Sequence, residues 1–189
     1  MKILGLDQGT VYTGYCVIED SNIIATGSIE LNQKLKLNTR IVSMCHDIEQ
    51  LLRKYNPDYL ALEDIYYCPG RYNAFRALAM LRGALIWEYW IRKLSHPIIV
   101  SAVSARKYLG IKGNSKKHEI IKFLNKEFNL KLDNEHIADA IVVAKVGYDI
   151  AKKNLSPEFF ETTINLDGVF GRKDEPKRKR KRRPNNKKG

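Results

Sequence analysis

Short apolar, β-branched and aromatic runs separated by turn residues fill the first thirty residues, and then the period changes. Lys2–Leu6, Thr13–Glu19 and Ile23–Leu31 are rich in Ile, Val, Tyr and Thr, and turn residues separate them (Gln8-Gly9, then Asp20-Ser21-Asn22). This pattern predicts three short strands with tight connections, an antiparallel meander. Ile41, Met44, Cys45, Ile48, Leu51 and Leu52 recur at helical spacing; Asn38 or Thr39 can cap that helix, and Asn56-Pro57 ends it. Tyr59–Glu63 (YLALE) reads as a short buried strand closed by a carboxylate, and a Pro-Gly loop follows over 66–72. Asn73–Leu94 predicts a long helix whose apolar residues, among them Leu81, Leu85, Trp87, Trp90 and Ile91, spread beyond one stripe. Such a helix needs two neighbours, for instance its own sheet and a partner subunit. Pro97–Ala102 predicts a fifth strand, and Ser104–Leu109 a helical turn stopped by Gly110. Asn114 or Ser115 can cap a helix to about Phe128, and Asp133 or Asn134 another to about Lys152.

The order βββ-α-β-α-β-α-α points to an α/β fold: a five-stranded mixed sheet, its first three strands antiparallel and the last two parallel, with helices on both faces. A chain of 189 residues, 44% apolar, has enough material for one domain with a true core. That domain is expected over 1–154, followed by an irregular segment and a disordered cationic tail over 155–189. Wholesale disorder is excluded by the apolar fraction, and a two-lobed enzyme by the length. The net charge of +12 is concentrated: residues 172–189 carry eleven Lys/Arg against two Asp/Glu. A brush of this kind releases counterions from phosphates in any base sequence, so nucleic acid is the first partner to consider and an anionic membrane the second. Cys16, Cys45 and Cys68 show no paired spacing and read as reduced thiols of a cytoplasmic protein. The opening apolar run is too short for a signal peptide, and Arg76, Arg82 and Glu88 interrupt the most apolar stretch, so no membrane span is expected.

Chemistry gathers at the carboxylates. Asp7 ends the first strand and Glu63 the fourth, and strand ends of such sheets are where ligands bind. His136 and Asp139, at i and i+3, share a helix face within an apolar run, where an acid needs a partner. Singly, each has a plainer role: Asp7 a turn residue, Glu63 a strand-end acid, Asp139 the partner of a buried Lys, His136 a structural imidazole. Together they allow a cluster that repels itself unless divalent cations hold it, and hard oxygen ligands favour Mg²⁺ or Mn²⁺. Two such ions about 4 Å apart activate a water and stabilise the leaving oxygen of a phosphodiester. Tyr66, Tyr67 and Tyr72, interleaved with Arg71 and Arg76, suit base stacking and phosphate contact. Lys112, Lys116, Lys117 and His118 lie at a helix N-terminus that already favours phosphate.

Three blocks resemble RuvC-type Holliday junction resolvases in order and spacing. ILGLDQGTVYTGYCVIE (3–19) resembles the family opening, PDYLALEDIYY (57–67) its second block, and HIADAIVVA (136–144) its last. The resemblance implies a ribonuclease H-like fold and a homodimeric, Mg²⁺-dependent endonuclease, with Mn²⁺ as a substitute, that cuts four-way DNA junctions by paired symmetric nicks. Asp7, Glu63 and Asp139 fall on the family's catalytic carboxylates. His136 falls where many members carry a fourth, aspartate ligand and some a histidine; an imidazole there shifts the preference toward Mn²⁺. Asp7 would bridge two ions, with Glu63, Asp139 and His136 completing their shells. Lys117, with Lys116 beside it, matches a basic residue near the scissile phosphate, and Tyr66 an aromatic inserted at the junction centre. The products would carry 5′-phosphate and 3′-hydroxyl ends. Gln8 replaces the usual proline, a change expected to matter little. Helix 73–94 is the expected dimer contact, and a branch-migration motor is a further candidate partner.

Other readings remain at this point. Sugar kinases and actin-like ATPases share D-x-G-T near a strand turn, but they need two lobes and a second phosphate loop. A nuclease of the same fold acting on forks or flaps, and a non-catalytic branched-DNA-binding protein, differ from a resolvase only in what is cut. Truncation at Arg172 should weaken DNA binding and flatten its dependence on salt while leaving cleavage at saturating protein intact, as read from binding isotherms over a salt series.

Overall fold

The computed structural model describes residues 1–93 and 95–153, so Lys177, Arg178, Lys179, Arg180 and the rest of the expected tail lie outside it. The elements run β1 (Lys2–Asp7), β2 (Tyr12–Glu19), β3 (Asn22–Glu30), α1 (Leu37–Tyr55), β4 (Tyr59–Glu63), α2 (Tyr72–Lys93), β5 (Ile98–Val100), α3 (Ala102–Tyr108), α4 (Lys117–Glu127) and α5 (Glu135–Lys153). Five strands form one sheet in the order β3-β2-β1-β4-β5. β1 is antiparallel to β2 and parallel to β4, and β5 is parallel to β4. The expected meander and parallel pair are both present. The β2–β3 hairpin turns through Asp20 and Ser21, both at positive φ (47° and 74°), the backbone twist that a two-residue hairpin favours.

Side-chain alternation splits the core into two layers. Ile3, Cys16, Ile18, Ala61 and Val100 face α3, α4 and α5. Leu4, Leu6, Val17, Leu60, Leu62 and Ile99 face Met44, Ile48 and Leu52 of α1 and Leu81, Leu85 and Tyr89 of α2. Each such aliphatic side chain contributes roughly 1.5–3 kcal/mol on burial. α5 lies almost flush on the sheet. A Cβ at Gly5 would stand 2.5 Å from the Ala144 backbone, and one at Gly14 would collide with the His136 carbonyl. Both positions need glycine because another backbone occupies the space, not because of their dihedral angles.

Helix starts depart from the capping expectations. α1 begins at Leu37, where the Lys36 carbonyl accepts the Arg40 N–H at 3.0 Å, so Asn38 and Thr39 lie inside the first turn. α4 begins at Lys117, beyond Asn114 and Ser115, with the Glu119 carboxylate accepting the Lys116 N–H at 2.8 Å. In both cases the preceding loop's path fixes the start, and a capping side chain only improves a start that geometry allows. Asn134 does cap α5: its Oδ1 accepts the N–H groups of His136 (2.9 Å) and Ile137 (3.2 Å). β5 is shorter than expected because Ala102 already opens α3. No helix among the described residues is long and apolar enough to cross a membrane. Gly5→Val should destabilise the fold by about 3 kcal/mol through overpacking against α5, read as a lowered denaturation midpoint.

Candidate active site

Two adjacent parallel strands and one helix converge at a single spot. Ile3, Gly5 and Asp7 alternate toward α5, and so do Ala61 and Glu63 on β4. The strand pairing therefore sets both acids side by side at the C-terminal ends of β1 and β4. The first turns of α5, fixed by the Asn134 cap, bring His136 and Asp139 over them. His136 Nδ1 lies 2.7 Å from Asp7 Oδ2. The Glu63 carboxyl is hydrogen-bonded to that of Asp7 and feels the charge of Asp139. Arg106 of α3 donates from its second terminal nitrogen to Asp139 Oδ1 at 3.0 Å.

The crowding shows in the proton affinities. Burial, followed by the charges of Asp7 and Asp139, pushes Glu63 up from 4.5 to about 9, with Arg106 pulling the other way. Asp139 is also raised, by burial first; Arg106 and Lys117 oppose this while Asp7 adds to it. The local cations are too few to hold every acid ionised. A donor set of three carboxylates and an imidazole suits a divalent cation. The acids stand as interlocked pairs rather than as an open cage: among the described residues, no three acidic, His or Cys groups are already arranged to hold an ion. A cation entering there competes with Arg106 for Asp139 and with the imidazole for Asp7.

Two hollows flank the cluster. One, of about 260 Å³, is lined by Asp7, Gln8, Glu63, Tyr66, Arg71 and Phe75, among others. Tyr66 is 43% exposed with its hydroxyl 3.2 Å from Ser101 Oγ. Tyr67 meets Phe75 edge-on at 5.7 Å, Arg71 lines the hollow, and Tyr72 and Arg76 are exposed at the start of α2. The other hollow, of about 450 Å³, is more open and includes Tyr12, Lys117, His118 and His136 in its wall. Tyr12 stacks on His136 with the rings parallel within 5° and their centroids 5.7 Å apart. Lys117 Nζ pairs with Glu135 at 2.6 Å. Lys112, Lys116 and His118 are exposed beside it.

Sequence reasoning missed Arg106 and undervalued Gln8. The need for a partner to Asp139 was legible, with a buried lysine as one candidate, and the partner is an arginine from α3. Gln8 was expected to matter little, yet its side chain is 5% exposed and binds the Glu63 backbone twice.

Residues 3–146 match the family described as crossover junction endodeoxyribonuclease RuvC. The chain belongs to the RuvC family. It is 26% identical over 155 residues to a crossover junction endodeoxyribonuclease RuvC of Prochlorococcus marinus (strain MIT 9303), covering 78% of this chain and 98% of that one. A RuvC of Chlamydia trachomatis serovar L2 is 29% identical over 152 residues, covering 75% and 88%. Among solved structures, Thermus thermophilus RuvC in complex with a Holliday junction substrate superposes with a TM-score of 0.67 at 15% identity, covering 81% of this chain and 96% of that one. The fold is therefore the ribonuclease H-like fold of the RuvC resolvases.

Because Glu63 carries a folded-state value raised from 4.5 to about 9, the stability tied to its proton is complete at low pH and is lost as pH rises through that window. In chelator, the melting temperatures of wild type and Glu63→Gln should coincide near the lower bound and separate above it, the variant becoming the more stable protein.

Proposed function

We propose that this chain is a divalent-metal-dependent endonuclease that resolves four-way DNA junctions by paired, symmetric nicks leaving 5′-phosphate and 3′-hydroxyl ends. The observation that carries the proposal is the meeting of Asp7, Glu63, Asp139 and His136 at the ends of β1 and β4 in a member of the RuvC family. Nucleases of that family depend on divalent metal, and the relatives bear the name crossover junction endodeoxyribonuclease. Residues 1–154 form the nuclease in this reading, and residues 155–189 an electrostatic tether. The protein works in the bacterial cytoplasm.

Asp7, Glu63, Asp139 and His136 would hold Mg²⁺, or Mn²⁺ in its place. When bound, the metal supplies an activated water and neutralises charge on the scissile phosphate. To serve as ligands, Glu63 would have to lose its proton to solvent and Asp139 would have to be free of the Arg106 hydrogen bond, Arg106 remaining beside the site as a cation. Lys117, already within electrostatic reach of Asp139, stabilises negative charge on the leaving oxygen. Arg71, Arg76, Lys112, Lys116 and His118 contact phosphates, while Tyr66, Tyr67 and Tyr72 offer ring faces to bases where a junction opens, each stack worth ~1–3 kcal/mol.

A junction with approximate two-fold symmetry calls for two sites on opposing strands, which a C2 dimer provides. The outer face of α2 suits that contact. Met80, Trp87 and Ile91 are 45%, 65% and 50% exposed, on a helix whose other face is buried through Leu81, Leu85 and Tyr89.

The proposal is tested by incubating the full chain with labelled four-way junction, fork and linear duplex in Mg²⁺ and in Mn²⁺. Paired nicks confined to the junction are expected. Equal cutting of forks would move the assignment to a general branched-DNA nuclease, and binding without cutting to a non-catalytic protein. Asp7→Asn should bind junctions as wild type does and cut them slower by on the order of 10²–10³-fold or more.

A further inference from the structure

The backbone pairing of β1 with β4 runs from Ile3 with Tyr59 to Leu6 with Leu62. Past Asp7 the chain turns away from β4. Thr13, fully buried, closes that turn: its Oγ1 accepts the Gly9 N–H at 3.1 Å and donates to the Gly9 carbonyl at 2.9 Å. Glu63 would thereby lose its partner on this side just where its side chain enters the site. The Gln8 side chain fills the vacancy. Its Nε2 donates to the Glu63 carbonyl at 2.5 Å, and its Oε1 accepts the Glu63 N–H at 3.1 Å. A side-chain amide presents the same donor and acceptor as a peptide, so the ladder gains one more rung, built from a side chain.

We propose that Gln8 is a positioning residue that fixes Glu63 relative to Asp7 and so sets the affinity of the site for a divalent cation. Holding both the N–H and the C=O of one residue fixes its two backbone dihedrals, and with them the direction of its side chain. Gln8 is bonded directly to Asp7, which makes its amide a strut between the two acids. When both acids ionise they repel, and the strut resists the parting of the two strand ends. The clasp rests on the nuclease reading only for the purpose of the cation; the hydrogen bonds themselves do not depend on it.

The test compares wild type with Gln8→Met, which keeps nearly the same length and volume but has no amide. Mn²⁺ binding is measured by titration calorimetry, junction binding by gel shift in EDTA, and folding by thermal unfolding without metal. The variant should fold, bind junction as wild type does, and bind Mn²⁺ tenfold or more weakly, the size of effect seen when a partner that orients a ligand is removed. Its half-activating Mg²⁺ concentration should rise by the same factor, while the rate at saturating Mg²⁺ falls less. Mn²⁺ affinity within twofold of wild type would overturn the proposal. Should Gln8→Met fail to fold, Gln8→Asn takes its place. That amide is one methylene too short to reach both Glu63 groups, so the same weakening is expected and unchanged affinity is fatal. Wild-type protein that binds Mn²⁺ yet cuts no junction would fail the nuclease reading, and the clasp would still be judged on the Mn²⁺ affinities.

Discussion

Like charges cannot be packed into a poorly hydrated corner without something to hold them. Two carboxylates about 4 Å apart repel by roughly 4 kcal/mol at the effective dielectric of a protein surface, and by more deeper inside. The ends of β1 and β4 bring Asp7 and Glu63 into hydrogen-bond contact, and α5 adds Asp139. The molecule meets this in three ways. Glu63 keeps its proton well above the ordinary carboxylate range, Arg106 lies against Asp139, and His136 against Asp7. In the proposed nuclease, a divalent cation would take over this work from the proton and the two nitrogen bases.

Much of this was legible in the sequence because it follows from periodicity. YLALE has the length and content of a buried strand, and β4 spans those residues. Period-two alternation fixes the face on which Asp7 and Glu63 stand, and the i, i+3 spacing puts His136 and Asp139 on one side of a helix, while that β1 and β4 are neighbours rested on the resemblance of the three sequence blocks to RuvC resolvases. What stayed hidden was contact between segments that no period links. Arg106 and Asp139 are 33 residues apart and Gln8 and Glu63 are 55 apart, and their meeting depends on the finished packing. Helix starts were missed for a related reason. Asn38 and Ser115 advertise caps, but the chain enters α1 and α4 at Lys36 and Lys116.

α2 presents one face to the core and the other to the outside. Its inner face seats Leu81, Leu85 and Tyr89 in the core, and Arg82 donates to Asp64 Oδ1 at 2.5 Å. Asp64 follows Glu63 directly, and its own N–H donates to Val100. The pair is nearly buried, with side-chain exposures of 17% and 8%, and Asp64 Oδ1 also accepts the Ile65 N–H at 2.9 Å. The helix that shows its tryptophan to the outside is therefore braced against the residue next to a site carboxyl.

The glycines under α5 have a consequence for how such a protein can change. At Gly5 and Gly14 the helix rests on the sheet main chain to main chain. The span between the strand-borne acids and the helix-borne pair is then a property of peptide stereochemistry rather than of side-chain bulk. Interior leucines and valines can be exchanged for others of like volume without moving the two halves of the site apart. A scaffold of this kind tolerates turnover of its filling while the seating of helix on sheet stands still, in keeping with a Thermus neighbour that shares the architecture at 15% identity.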